Sequence, residues 1–418
     1  MIKKINIIIL NLNNNFNLKI LKEKNIIINI FNLKNYEIIK LIFKINIILK
    51  IYEKNININI IFDDSCKSIK NIENIMLSFL NNILYKYNNN NLVKLHNCNS
   101  NSLQFMNELN LYKDISMNPN KNPKIYLDYI LSRIHHIYKY DVLNVNESEL
   151  FPLTKAVGIG SQYPGYFLHI YPKNINNNLK TIFLVGKAIT FDSGGLNLKS
   201  KNMDEMKTDM IGSAIIVSVL NLITTKKYNI HVLAPIVENM ISNTATRPGM
   251  VIKTLNNKTV EISDTDAEGR LCLVDCFNYI HLKLVKNLET SLIIDVATLT
   301  GNVEQITCGV SSICFSNSLG KPYLNKLINI GENIGEYIDT LEIRPQYLEL
   351  LLDSPVADIK SLCLCRAGAA TAAAFLKYFI DDKIAWIHMD VASSVFKDGK
   401  VLSYGVNLLN EFINSNSF

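Results

Sequence analysis

The sequence predicts an α/β fold in which a sheet is sandwiched by helices, and three observations predict it. Apolar runs of strand length recur at 181–186 (TIFLVG), 231–237 (HVLAPIV) and 291–297 (SLIIDVA), as buried strands require. Segments of helical character lie between and after them: one opening at Asp209, one after Leu271, one around Ala369 to Phe379. Strands alternating with helices bury both sheet faces. The chain has 418 residues, 48% of them hydrophobic, which supplies core for two domains.

The N-terminal part, residues 1–110, has its own composition. Asn, Ile and Lys dominate it, as in NIIILNLNNNFNLKI and IYEKNININIIF. It holds 14 Lys, no Arg and 7 acids, a charge of +7, against +6 for the whole chain, so residues 111–418 are close to neutral. Asn55 to Ile60 alternates with period two and predicts a strand; Tyr85 to Leu92 (YKYNNNNL) predicts a loop. The lysines are scattered, with no arginine to read bases, which argues against a nucleic-acid surface. Lys3 and Lys4 before Ile7–Leu10 imitate a targeting signal. The apolar run is short, however, and the Asn-rich stretch from Asn11 to Asn15 follows without a small-residue cleavage pattern. The most apolar window, Ile38 to Ile51, is interrupted by Lys40, Lys44 and Lys50, so no membrane span is expected. The protein is expected to be cytoplasmic.

The eight cysteines (66, 98, 272, 276, 308, 314, 363 and 365) form no CxxC pair, and buried thiols in a reducing compartment are expected. Cys272 and Cys276 share an i, i+4 face but lack further zinc ligands. His135–His136 is expected on a helix surface, and His388 as a hydrogen-bonded core histidine.

Chemistry concentrates in two segments. Asp264-Thr265-Asp266-Ala267-Glu268-Gly269-Arg270-Leu271 packs three carboxylates and a guanidinium together. Such acids repel one another unless a multivalent cation offsets them, and the arginine adds a fixed cation for an anion or a developing charge. Read alone, a polar turn accounts for this stretch equally well. The second segment, 181–212, runs from the strand into Lys187, then Asp192, then Gly194-Gly195, which permits a tight backbone path. Lys199 and Asp209 follow, the latter before the helical run from Met210.

The blocks VGKAITFDSGG, MDEMKTDM and DTDAEGRL resemble the leucyl aminopeptidase family of two-metal exopeptidases. The likeness continues through Asp295–Gly301 (DVATLTG), Ser354–Lys360 (SPVADIK), Ala367–Phe375 (AGAATAAAF) and Trp386–Ala392 (WIHMDVA); Asp114–Pro119 echoes the opening of that family's catalytic domain. It covers roughly residues 110–415, in family order. The resemblance implies a di-metal catalytic domain at 111–418 with a mixed sheet sandwiched by helices, behind a smaller, eroded α/β domain at 1–110.

The resemblance further implies that Lys187, Asp192, Asp209 and Glu268 hold one divalent ion, and Asp192, Asp266 and Glu268 the other, with the Asp266 carbonyl helping. Manganese is expected first and zinc as the alternative. Lys199 and Arg270 are implied as the catalytic pair, with bicarbonate held at Arg270. Thr298, Leu299 and Gly301 are implied as substrate contacts, and Met206 with Ala392 as lining for the first side chain, which suits leucine or another apolar residue. Peptides with a free N-terminus are the implied substrates, turned over inside the cell, and a hexamer the implied assembly. The rival readings are a DNA-binding or an inactive structural homologue, or a different two-metal hydrolase. Three departures stand out: Asp264 replaces a usual asparagine, Ala188 a usual glycine that positive φ would require, and the 200–208 loop is one residue short.

Overall fold

The computed structural model describes residues 3–10, 18–21, 25–29, 56–62, 77, 93–96, 100–397 and 399–415. The expected loop at Tyr85–Leu92, the Ile38–Ile51 window, Cys66 and Cys98 lie outside them. The described N-terminal strands pair in the order Leu18–Leu21, Asn25–Asn29, Lys3–Leu10, Ile56–Phe62, Val93–His96, and the alternating Asn/Ile stretch falls on Ile56–Phe62 as expected.

A nine-stranded mixed sheet carries the rest. Its order is Ile338–Thr340, Ser312–Ser316, Ala385–Asp390, Ser291–Ala297, Lys180–Gly186, Tyr228–Asn239, Tyr166–Pro172, Tyr138–Asn144, with Ala188–Asp192 pairing off the end of Tyr228–Asn239. The four central strands from Ala385–Asp390 to Tyr228–Asn239 are parallel, and the flanking pairings Ser312–Ser316 and Tyr166–Pro172 are antiparallel. Central parallel strands are buried on both faces and therefore read as continuous apolar runs, which is why TIFLVG, HVLAPIV and SLIIDVA were legible.

Period two sorts those runs between two cores. Ile182 and Leu184 face one side with the helices Ile211–Leu222 and Val406–Asn414; Phe183 and Val185 face the other with Glu268–Tyr279 and Gly368–Lys377. Each such side chain, once fully buried, contributes roughly 1.5–3 kcal/mol. No described helix is long and apolar enough to cross a membrane.

Four expectations need adjustment. The helix Pro123–Leu131 stops before His135 and His136, which sit exposed in the following turn, so they are surface residues without being helical. Cys308 is exposed and Cys363 and Cys365 half-buried, while Cys272, Cys276 and Cys314 are buried as expected. The helix expected after Leu271 begins at Glu268. Ala188 lies in the strand Ala188–Asp192 without positive φ, so the alanine is unstrained.

Candidate metal centre

The site forms where the parallel strands end. Lys187 is the single residue between Lys180–Gly186 and Ala188–Asp192, and Asp192 closes the second strand. Asp209 sits just ahead of the helix Ile211–Leu222, and Glu268 opens the helix Glu268–Tyr279. Helix N-termini carry partial positive charge, which favours acids there. The stretch 264–267 is the polar turn that its composition allowed, and it presents the acids. The turn reading of that octapeptide therefore holds, and it leaves the acids placed where a cation could be held.

Asp192, Asp209 and Glu268 are buried, and one carboxylate oxygen from each lies within 4.8 Å of the others. The Lys187 ammonium reaches into this group. It lies 2.7 Å from Asp209 Oδ1 and 2.8 Å from Glu268 Oε1, and donates to the Thr298 carbonyl at 3.0 Å. Lys199 Nζ lies 2.7 Å from Asp192 Oδ2 and also pairs with Asp266. Six of the expected residues thus form one ionic network.

Gly269 shows how tightly it is built. A Cβ there would stand 2.5 Å from Lys187 Cε, so the glycine between Glu268 and Arg270 gives Lys187 its passage. Gly194 and Gly195, at φ +87° and +63°, make the tight path after Asp192.

Secondary contacts fix the acids. Asp192 Oδ1 accepts from the Gly194 N–H at 2.9 Å and from Asn239 Nδ2 at 2.7 Å; the same Asn239 amide donates to the Thr265 carbonyl. Thr298 Oγ1 donates to Asp209 Oδ1 at 2.9 Å. The Leu299 N–H donates to Asp390 Oδ1 at 3.1 Å, and Asp390 also accepts from the Thr300 hydroxyl at 2.7 Å. Gly301 begins the helix Asn302–Thr307 as its cap. Met206 lies in the short helix Met203–Thr208, half-buried. Asn239, Thr265 and Asp390 were not singled out from sequence. Asp390, within WIHMDVA, and Thr265, within the 264–271 octapeptide, lay in segments already marked; Asn239 did not.

The electrostatics follow from crowding. Burial and the neighbouring Glu268 and Asp192 raise the Asp209 carboxyl well above its usual range, against the pull of Lys187. Burial, Asp192 and Glu268 push Asp266 up to about 7. Burial opposes charge on Lys187, but Asp209, Glu268 and Asp192 outweigh it and hold the ammonium above its ordinary value. The two lysines act as counter-ions for acids that could not otherwise share one buried space.

These residues fit a metal. The donor set is oxygen-rich with one amine, as hard divalent cations prefer. Asp209 Oδ2 is buried and accepts no hydrogen bond, a free acceptor on a member of the acid cluster. Arg270, 4% exposed, lies behind the cluster. One of its terminal nitrogens donates to the Ser361 carbonyl at 2.8 Å, while its Nε is buried without a partner. Burial lowers the guanidinium's pKa, against Glu268 and other acids nearby.

Residues 111–409 match the profile described as "Cytosol aminopeptidase family, catalytic domain". Similar curated proteins include a "Probable cytosol aminopeptidase" of Rickettsia rickettsii, 33% identical over 318 residues, and a "Cytosol aminopeptidase" of Rickettsia prowazekii, 35% identical over 323; each alignment covers 72% of this chain and 62% of the relative. A "Probable cytosol aminopeptidase" of Phytoplasma australiense is 35% identical over 286 residues, covering 65% of this chain and 57% of the relative. The chain thus spans less than two thirds of the length of these relatives.

Proposed function

The chain belongs to the cytosol aminopeptidase family, and from that premise we propose that it is a metal-dependent aminopeptidase that releases N-terminal residues, leucine and other apolar ones first, from peptides in the cytoplasm. The observation that carries this reading is the buried Asp192–Asp209–Glu268 cluster with Lys187 inserted into it. The proposal includes the division near residue 110, a hexameric assembly, and manganese ahead of zinc.

In this reading Lys187, Asp192, Asp209 and Glu268 hold one ion; Asp192, Asp266 and Glu268, with the Asp266 carbonyl, hold the second. Bound there, two divalent ions supply Lewis acidity at the scissile carbonyl and acidify the attacking water. Lys187 would have to give up its proton to act as a ligand; as an ammonium it is the counter-charge of Asp209 and Glu268. Lys199, 17% exposed at its side chain where Lys187 is 4%, is the cation a substrate can reach. Its ammonium is suited to stabilise the oxyanion as the carbonyl becomes tetrahedral. Arg270 keeps a buried N–H for an anion, which supports bicarbonate as the proton acceptor there. Thr298 aligns Lys187 and Asp209 through its carbonyl and hydroxyl, and the 298–301 turn, braced by Asp390, offers the edge for substrate backbone.

The test is hydrolysis of an L-leucyl amide by the purified chain with and without manganese, beside the Lys187→Ala, Glu268→Ala double variant. Metal-dependent release by the parent alone is expected. No release by folded parent with manganese demonstrably bound refutes the reading.

A further inference from the structure

Segment 361–367 holds two thiols that take no part in the carboxylate cluster, of which Cys363 packs against the edge of one core. Cys363 and Cys365 flank Leu364. The Cys365 N–H donates to the Cys363 carbonyl at 2.9 Å, a three-residue turn that reverses the chain at Leu364. Leu364 is 104% exposed, while the two half-buried sulfurs converge 3.4 Å apart.

The turn is anchored on both sides. The Leu362 N–H donates to Ser263 Oγ at 3.0 Å, the Ser263 hydroxyl returns a bond to the Leu362 carbonyl, and the Ser361 N–H donates to the Glu261 carbonyl at 2.8 Å. Downstream, Thr371 Oγ1 donates to the Ala367 carbonyl, and Cys365 Sγ lies 3.9 Å from that hydroxyl. The backbone therefore presents the thiols as a pair. A disulfide needs sulfurs at about 2.05 Å, so closure requires a movement of somewhat over 1 Å. Ser361, two residues before Cys363, lies in the same segment, and its carbonyl accepts from Arg270.

We propose that Cys363 and Cys365 form a redox-active dithiol that a low-molecular-weight disulfide converts into an intrachain disulfide, displacing the Ser361 contact to Arg270. The Cys365 thiol loses its proton to solvent and attacks one sulfur of the small disulfide. That S–S bond breaks, a small thiolate leaves, and a mixed disulfide forms on Cys365. The Cys363 sulfur, its proton also passing to solvent, attacks the Cys365 sulfur and expels the second small thiolate. Two protein thiols lose two electrons in all, and the small disulfide becomes two thiols that take up the two protons. The Cys363 thiol donates to the Cys365 sulfur, which favours the thiolate on Cys365, and burial with that same bond pushes the Cys363 thiol up to about 11; Cys365 attacks first. A bridge across one intervening residue is strained and hence readily reduced, as a reversible switch in a reducing compartment requires.

The test uses the full chain in a Cys308→Ser background, which removes the thiol that is exposed among the described residues. Reduced protein is incubated with oxidised glutathione, and its mass and peptides are mapped. The expected product has lost two hydrogens on the peptide bearing Cys363 and Cys365, retains no glutathione there, and is restored by dithiothreitol. In the Cys363→Ser variant the glutathione adduct persists on Cys365. Separately alkylatable thiols at both positions after the incubation overturn the dithiol. The effect on Arg270 rests on the aminopeptidase reading. Hydrolysis is expected to fall at least about tenfold on closure, since a misplacement of about 1 Å costs on the order of 10²-fold. It should recover on reduction and stay constant in the Cys363→Ser, Cys365→Ser double variant. Closure with an unchanged rate overturns that link. The mass readout decides the dithiol even if the reduced parent hydrolyses nothing.

Discussion

Replacing Gly269 by alanine tests whether the placement of Lys187 matters more than the stability of the helix it passes. Gly269 is the second residue of the helix Glu268–Tyr279, where alanine in place of glycine gains up to about 1 kcal/mol. The new Cβ would meet Lys187 Cε at 2.5 Å, Cδ at 2.9 Å and Nζ at 2.9 Å. Lys187 is held at its tip by Asp209, Glu268 and the Thr298 carbonyl, so it cannot swing aside without breaking those contacts. Overpacking of this kind costs about 1–3 kcal/mol, which nearly cancels or modestly exceeds the helix gain. The melting temperature should therefore change by only a few degrees. Function should change far more, because relieving the clash displaces Lys187 by about 1 Å, worth on the order of 10²-fold in rate. The assay is kcat/KM for an L-leucyl amide over a manganese titration, with thermal unfolding alongside. Parent-like kcat/KM at the parent's manganese requirement would refute the reasoning, since Lys187 would then not need its present position.

Three further outcomes follow from the same contacts. Lys187→Ala leaves the buried acids Asp209 and Glu268 without their shared cation. In chelator it should lose about 3–5 kcal/mol, and manganese should restore part of this; identical melting curves for variant and parent in chelator would contradict the counter-ion role. Asn239→Ala removes the amide that holds Asp192 and the Thr265 carbonyl and should raise the manganese concentration for half-maximal activity about 10–100-fold, with calorimetric metal binding as the check. His169 and His231, bonded at 2.9 Å on neighbouring strands, are held down to about 3 and about 4 by burial, with His231 adding to the effect on His169. Their folded values lie below the unfolded ones near 6.5, so the stability they contribute is present above pH 6.5 and lost as pH falls toward 4. The fall in melting temperature from pH 7 to 4 should flatten in a His169→Phe, His231→Phe variant.

Much of the site is legible because its acids cluster in sequence. Asp266, Glu268 and Arg270 share one turn and helix start, and Lys187 with Asp192 share one strand end. The supporting contacts are spread out: Asn239 is 47 residues from Asp192, Asp390 is 91 from Leu299, and Ser361 is 91 from Arg270. Neither a polar residue at a strand end nor a loop carbonyl has a composition that marks its partner. The stop of the helix before His135 was missed for a related reason, since helix ends are set within a residue or two by local capping.

Strand register explains why the scattered and the clustered residues meet. Ser291–Ala297 pairs in parallel with Lys180–Gly186, placing Val296 opposite Gly186. The Lys187 N–H then donates to the Val296 carbonyl at 3.0 Å, and the chain beyond delivers Thr298 to the Lys187 ammonium. Gly212 packs against this junction, where a Cβ would meet the Val296 carbonyl oxygen at 2.0 Å, and so brings Asp209, at the foot of its helix, to the same point. A slip of one residue would turn Phe183 and Ile182 to the wrong cores. The apolar alternation that makes the strands recognisable is therefore also what aligns the polar strand ends: the two cores fix the register, and the register brings Lys187, Thr298 and Asp209 together.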